Sequence, residues 1–375
     1  RRPIERPAAT GLERIPSPSA DLDPIAARLQ ASLDLGDGPV VRCALIEPPA
    51  PVRPVLCIVA HHLVVDVVSW SILIEDLSNA YELAASGLPV SLPPRTTSFG
   101  AWTEHQLVAS TDDGLAGWCS QLTAGPKAAS APGLEAERLV VSAHLDPELT
   151  NHLMTDANNA YGTRPDELIL AALAPVLADG SGVMRVMLEG HGRAPSAGLD
   201  VSRTVGWFTV QYPLALRTFR DEAEGVKRTK EAVRSAADTA VDYGVQRYIR
   251  RHPELMAYEE PAVLFNYLGR GDPHTGGLLQ PLAAPDASSR DPENRMTHEL
   301  ELVALVDDSG LTVHWYHSDP LRSVEVARMA DAHVSTLESL IAHCRGEEVG
   351  AFTPSDFPAA GLEQDELDDF LDGLI

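Results

Sequence analysis

Strand-sized apolar runs alternate along this chain with stretches of helical spacing. Runs such as Pro54–Ala60 are strand-sized, and none reaches the roughly 20 apolar residues of a membrane-spanning helix. Val40–Ile46, Val55–Ala60, Leu139–Leu145 and Val183–Leu188 read as strands, rich in residues suited to a sheet interior. Leu300–Val306 and Leu311–Tyr316, joined by a turn at Asp307–Gly310, read as a long hairpin. Asp21–Leu35, Trp70–Ala85, Phe99–Leu107, Leu115–Leu122 and Val324–Ile341 have helical spacing. Asp146-Pro147 opens another helix and Pro165–Leu177 repeats the pattern, with proline at a permitted first-turn position. Such alternation predicts α/β layers rather than an all-helical or all-strand fold. Residues 1–20 are rich in Pro, Ser and Arg and read as loop, and Ala128–Gly133 reads as a linker. From Thr353 the chain reads as a proline- and acid-rich tail with a short amphipathic piece at Leu367–Ile375.

Length and charge narrow the function. A chain of 375 residues, 44% hydrophobic, suffices for one large core or two medium lobes. With 29 basic against 54 acidic residues the formal charge is −25. That field opposes binding to nucleic acid or to an anionic membrane. No apolar core follows Arg1-Arg2-Pro3-Ile4, so no signal peptide is expected there. Cys43, Cys57, Cys119 and Cys344 are far apart and form no CxxC pair. They read as reduced, mostly buried thiols of a cytoplasmic protein.

Four segments carry the candidate chemistry. In Ala60-His61-His62-Leu63-Val64-Val65-Asp66-Val67-Val68-Ser69-Trp70 a strand runs into two histidines, and a helix starts a few residues later. A histidine held at a strand end with one ring nitrogen free is suited to general base work. Asp66 is a candidate to orient His62, to brace the loop, or to pair with a distant arginine. Adjacent histidines on a strand point to opposite faces and HExxH is absent, so no metal site is expected. Glu189-Gly190-His191-Gly192-Arg193 places a carboxylate at a strand end before glycines. It reads as a charged surface turn or as a second acid–base group. In Arg203–Pro213 the aromatics suit core packing, and Arg203 is a candidate partner for Glu189 or Asp66. In Val263–Arg270, Asn266 and Tyr267 are candidates to donate hydrogen bonds to an enolate oxygen, or to close an interface between lobes.

These segments, with the weaker Tyr243-Gly244, Thr96–Phe99 and Thr353–Pro358, resemble the epimerization domains of nonribosomal peptide synthetases, within the condensation-domain superfamily. The resemblance covers the chain from about Asp34 onward. It implies two chloramphenicol-acetyltransferase-like lobes in a V with a central tunnel, here with a shortened first lobe. The expected divisions are 1–133, 134–352 and a linker tail 353–375. It implies His62 and Glu189 as the catalytic pair, inverting the α carbon of an L-aminoacyl or peptidyl thioester without a cofactor. His61, Asp66, Ser69, Arg203, Tyr243, Asn266 and Tyr267 are then supporting or substrate-proximal. The implied partner is an upstream peptidyl carrier domain with its phosphopantetheine arm, and a downstream condensation domain is a further candidate. Lys227, Arg228 and Lys230 are candidates for a basic carrier-docking patch or a solvated helix face.

Three departures from the family pattern stand out. Val67 occupies a usual glycine position, where it is strained if φ is positive and otherwise only narrows the tunnel. Asp242 replaces a glycine before Tyr243-Gly244. The usual opening strand and helix, with their proline-and-glutamine motif, are missing, and residues 1–33 cannot supply all of that segment. A non-catalytic carrier-binding module is therefore the rival reading. A condensation-type enzyme forming an amide or ester is a third, and it would need His62 but not Glu189.

Overall fold

Each amphipathic element must cover its apolar face, and the chain does so in two separate units. The computed structural model describes residues 11–16, 22–123, 132–193, 198–270, 280, 282, 290–346 and 350–372. Contacts divide the chain into Arg1–Trp102 with Pro195–Phe208 and Pro273–Pro292, and Thr103–Ala194 with Thr209–Asp272 and Glu293–Ile375. The units are thus discontinuous in sequence, unlike the expected divisions at Gly133 and Thr353. Of the expected linker, residues 128–131 lie outside the described residues. Gly133 is tied down, its N–H donating to Ser318 Oγ at 2.9 Å.

The first unit carries a three-stranded sheet. Strand β1 (Glu13–Pro16) lies parallel to β2 (Val41–Glu47), which pairs antiparallel with β3 (Val55–Ala60). β1 falls where the composition predicts loop. It is four residues long and mostly exposed, so no apolar alternation marks it. Helix α1 (Asp23–Ala31) packs on β2 and β3, burying Ala26 and Leu29. Helix α2 (Val67–Ala85) follows β3, and α3 (Phe99–Ala109) starts at the end of this unit.

The second unit begins at Thr103, within α3, and continues with α4 (Leu115–Thr123), β4 (Leu139–Leu145), α5 (Pro147–Met154), α6 (Pro165–Leu177), β5 (Val183–Gly190) and β6 (Val210–Arg217). Then come α7 (Glu222–Asp238), α8 (Ala240–Gly244), α9 (Pro253–Met256) and β7 (Val263–Arg270). β8 (Leu300–Asp307), β9 (Gly310–His317), α10 (Ser323–Cys344) and α11 (Gln364–Asp372) complete it. The sheet order is β4-β9-β8-β7-β5-β6, with β7 parallel to both neighbours and the other pairs antiparallel.

Local chemistry sets several boundaries. Asp146 caps α5 by accepting from Leu149 N–H at 2.9 Å, with Pro147 at the first helical position. In α6, Leu168 through Ala174 are all buried, because α7 and α10 both pack on it. Gly310 has φ +114°, and a Cβ there would lie 2.2 Å from the Leu145 carbonyl, so the β8–β9 turn demands glycine.

The expected linker tail is part of the second unit. Thr353 is fully buried, and the Asp356 carboxylate accepts from the Lys230 ammonium at 2.7 and 2.6 Å. Lys230 is itself fully buried, so it is no surface docking residue. Lys227 and Arg228 both pair with Glu224. Cys344 is buried, whereas Cys43, Cys57 and Cys119 are only half-buried, and all four are free thiols. Burial raises each of their pKa values. Among the described residues no helix is long and apolar enough to cross a membrane.

Candidate active site

The histidine segment is not a continuation of β3. The chain leaves the strand at Ala60 and turns through a single 3-10 turn, His62–Val64. His61 caps that turn, its Nδ1 accepting from Leu63 N–H at 3.2 Å. The expected strand-like alternation of the two rings is therefore replaced by a division of labour. His61 shapes the turn, and His62 stands exposed with its ring 5.3 Å from that of Trp207, tilted by 59°.

Asp66 braces the segment. It is 4% exposed and caps α2, with Oδ1 accepting from Ser69 N–H at 2.6 Å. Oδ2 accepts from Phe208 N–H at 3.1 Å. Ser69, fully buried, donates its hydroxyl to the Gly206 carbonyl at 2.9 Å and accepts from Gly206 N–H at 3.0 Å. A Cβ on Gly206 would meet the Phe99 ring at 2.5 Å, so this close approach requires glycine. Phe208 is fully buried between Phe99 and Trp102, with ring centroids at 5.0 and 4.7 Å. The Asp66 and Ser69 hydrogen bonds thus lash the helix behind His62 to the Gly206–Phe208 strip that carries Trp207.

Arg203 pairs with neither Glu189 nor Asp66. Its guanidinium donates to Glu75 Oε2 at 2.9 Å and Asp76 Oδ1 at 2.5 Å, both on α2. The Glu75 hydrogen bond leads in raising its pKa. Thr204 reinforces the strip by donating to the Thr97 carbonyl at 2.6 Å. Val67 is the first residue of α2, and its φ is not positive. The backbone strain that a glycine position would imply is therefore absent, and the valine side chain is 58% exposed.

Glu189 belongs to the second unit and sits near the end of β5. Register places it opposite Gln211 of β6, and one step past the Leu188–Phe265 pair of β5 and β7. Gln211 Nε2 donates to Glu189 Oε1 at 2.8 Å, and Asn266 Nδ2 donates to Oε2. Gln211, Glu189 and Asn266 therefore form one row across three strands. Gly192 has φ +63°, which ends the strand direction just beyond, while Gly190 leaves room for the Tyr212 ring.

The remaining expected site residues part company with this row. Tyr267 neighbours Asn266 on β7, so their side chains leave opposite faces of the strand. Its hydroxyl lies 3.5 Å from Met154 Sδ, and burial raises its pKa to about 12. It therefore does not share the face of β7 that carries Asn266. Tyr243 is fully buried, packs on Trp118 at 5.1 Å, and donates to Glu260 at 3.1 Å. Burial, then Glu260, raises its pKa. It is a core residue rather than a substrate contact. Asp242 accepts from Ser110 Oγ, so the residue in place of glycine has its own partner. Gln211 is a site residue that the sequence pattern does not single out. Its one signal is a polar residue inside Val210–Arg217, informative only once that run is paired with β5.

The profile of the condensation domain matches residues 12–362. The chain belongs to the condensation-domain family. A linear gramicidin synthase polypeptide of Brevibacillus parabrevis is 37% identical to this condensation-family domain over 92% of it and 7% of that polypeptide. Tyrocidine synthase 1 of the same organism is 33% identical over 92% of the domain and 34% of its own length. The domain therefore spans a minor part of these curated relatives. Among solved structures, the epimerization domain from the third module of tyrocidine synthetase B superposes with a TM-score of 0.75. It is 29% identical, covering 89% of this chain and 80% of that one. The first condensation domain of the calcium-dependent antibiotic synthetase gives a TM-score of 0.60 at 20% identity over 90% and 76% of the two chains. That likeness shows a shared fold. The expected α/β class and superfamily thus hold for this domain.

Proposed function

We propose that this condensation-family domain is an epimerase acting on the α carbon of an aminoacyl or peptidyl thioester held on the phosphopantetheine arm of a carrier domain. The observation that carries the reading is Glu189, a carboxylate with both oxygens held by neutral amides. Amide-bond formation needs no such group, whereas inversion needs a second acid–base residue besides the histidine. The likeness to an epimerization domain supports the same choice.

In this mechanism one of His62 and Glu189 removes the α proton, and the electron pair enters a thioester enolate. The other returns a proton to the opposite face of the carbon. The thioester assists because its α proton is more acidic than that of an amide or carboxylate. His61, Asp66, Ser69 and Arg203 hold the His62 segment, and the chemistry calls on no cofactor or metal.

The test loads an L-aminoacyl or short L-peptidyl group onto the adjoining carrier domain in deuterated water, then releases the acid for chiral chromatography and mass spectrometry. The expected result is the D form with one deuterium at the α carbon, abolished by His62→Ala or Glu189→Ala. A panel of loaded carriers giving neither exchange nor inversion sinks the proposal and favours a non-catalytic carrier-binding module. Peptide-bond formation that survives Glu189→Ala would instead assign condensation.

A further inference from the structure

The three-strand row around Glu189 has a feature that a merely anchored carboxylate does not need. Each oxygen accepts from a carboxamide, Gln211 Nε2 at 2.8 Å and Asn266 Nδ2 on the other side. A carboxylate only accepts hydrogen bonds, but a carboxylic acid also donates one. A fixed donor such as lysine suits the first state and opposes the second. A carboxamide suits both, because turning it exchanges its N–H for its carbonyl. An acid–base residue passes through both states in every turnover, and leaving a half-buried O–H without a partner is costly.

From this we propose that Gln211 is a positioning residue that holds Glu189 in both protonation states, its amide turning as the proton arrives and leaves. The inference rests on the epimerase reading. When Glu189 takes the α proton, the C–H bond breaks, its electron pair passes into the enolate, and the proton resides on a Glu189 oxygen. Gln211 then presents Oε1 to that O–H until the proton is delivered to carbon or exchanged with water. With the carboxylate restored, Nε2 donates again. Gln211 is the turning partner rather than Asn266. It lies on β6, the edge strand of the sheet, and has one more rotatable bond. Asn266 lies on β7, enclosed between β5 and β8.

The experiment compares wild type with Gln211→Met and Gln211→Leu, which keep bulk and remove both amide roles. Each is given carrier-bound L- and D-aminoacyl groups in deuterated water, and exchange and inversion are timed separately. From the epimer whose proton Glu189 removes, exchange and inversion fall together, by roughly tenfold or more for a lost hydrogen bond to a charged group. From the other epimer, inversion falls while exchange through His62 persists, so the ratio of exchange to inversion rises. A misfolded fraction lowers every rate equally and leaves both ratios unchanged, so the readout survives partial unfolding. Exchange that falls equally from both epimers, or no loss, overturns the proposal. A wild type that neither exchanges nor inverts overturns the epimerase reading and this inference with it. An inverting wild type with unaffected variants overturns this inference alone.

Discussion

Replacing Asp356 by alanine strands a buried charge. The Lys230 ammonium is fully buried, and its partners are both Asp356 oxygens and the Tyr161 carbonyl. In Asp356→Ala the carbonyl remains, but no anion balances the ammonium. Arg234, whose Nη1 lies 3.5 Å from Asp356 Oδ1 in the intact protein, adds like charge nearby. Removing one partner of a buried pair costs about 3–5 kcal/mol. The same change also removes the acceptor for Thr353 N–H, at 2.9 Å, adding about 1 kcal/mol. Lys230→Met should cost less, because Asp356 keeps Arg234, the Thr353 N–H and partial contact with water. The double variant should then lie only about 1 kcal/mol below Lys230→Met, the cost of the lost Thr353 acceptor, since no unbalanced ammonium remains. Urea unfolding followed by circular dichroism measures all three differences, with hydrogen exchange in α7 confirming which unit opens. Asp356→Ala within about 1 kcal/mol of wild type would refute the reasoning, as would a double variant no more stable than Asp356→Ala. Acid should act in the same direction. Burial, the largest single influence, would raise the Asp356 pKa, but the Lys230 hydrogen bond, the Thr353 N–H and the charges of Lys230 and Arg234 together outweigh it, so the carboxyl sits below its ordinary value. Its contribution is present above the unfolded carboxylate range and is lost as pH falls through the folded value.

Other residues make separate predictions. His333 is fully buried, and burial lowers its pKa to about 4 against the opposing Ile169 carbonyl at 3.1 Å. Only the unfolded chain gains the proton as pH falls from about 6.5 toward 4, so about 3 kcal/mol is lost across that window, and His333→Leu should flatten this part of a stability–pH curve. Ser69→Ala cuts both bonds to Gly206 and should cost about 2 kcal/mol in urea unfolding, with inversion falling through a disturbed His62. An unchanged midpoint would show that the strip is held elsewhere. Val67→Gly should give no gain in thermal stability, since Val67 has helical backbone at the start of α2; a clear rise in midpoint would contradict the absence of strain.

Much of the second unit is legible in the sequence because its signals are local. Leu139–Leu145 and Pro165–Leu177 have the expected bounds in the structure. A cap followed by proline, or a run of β-branched and aliphatic residues, acts through neighbours a turn away. β1 is illegible for the same reason, since its pairing with β2 is not local and its exposed residues leave no pattern. The histidine segment shows a similar limit. His61-His62 and Asp66 stand out as candidate chemistry, but the 3-10 turn that separates the roles of the histidines does not.

What the sequence determined by itself was the inventory of reactive groups and the alternation of strand and helix, with the family that their order resembles. The tertiary structure decided which groups work together. Asp66 is completed by Phe208, 142 residues away, and Ser69 by Gly206, at 137. Glu189 is completed by Gln211 and Asn266, at 22 and 77 residues. Arg203 found Glu75 and Asp76 rather than Glu189 or Asp66, and the Tyr267 hydroxyl lies by Met154, on the opposite face of β7 from Asn266. The physical reason is that sequence period sets which face a side chain takes, whereas its partner depends on strand register and long-range packing, which a single pattern of residues does not encode locally.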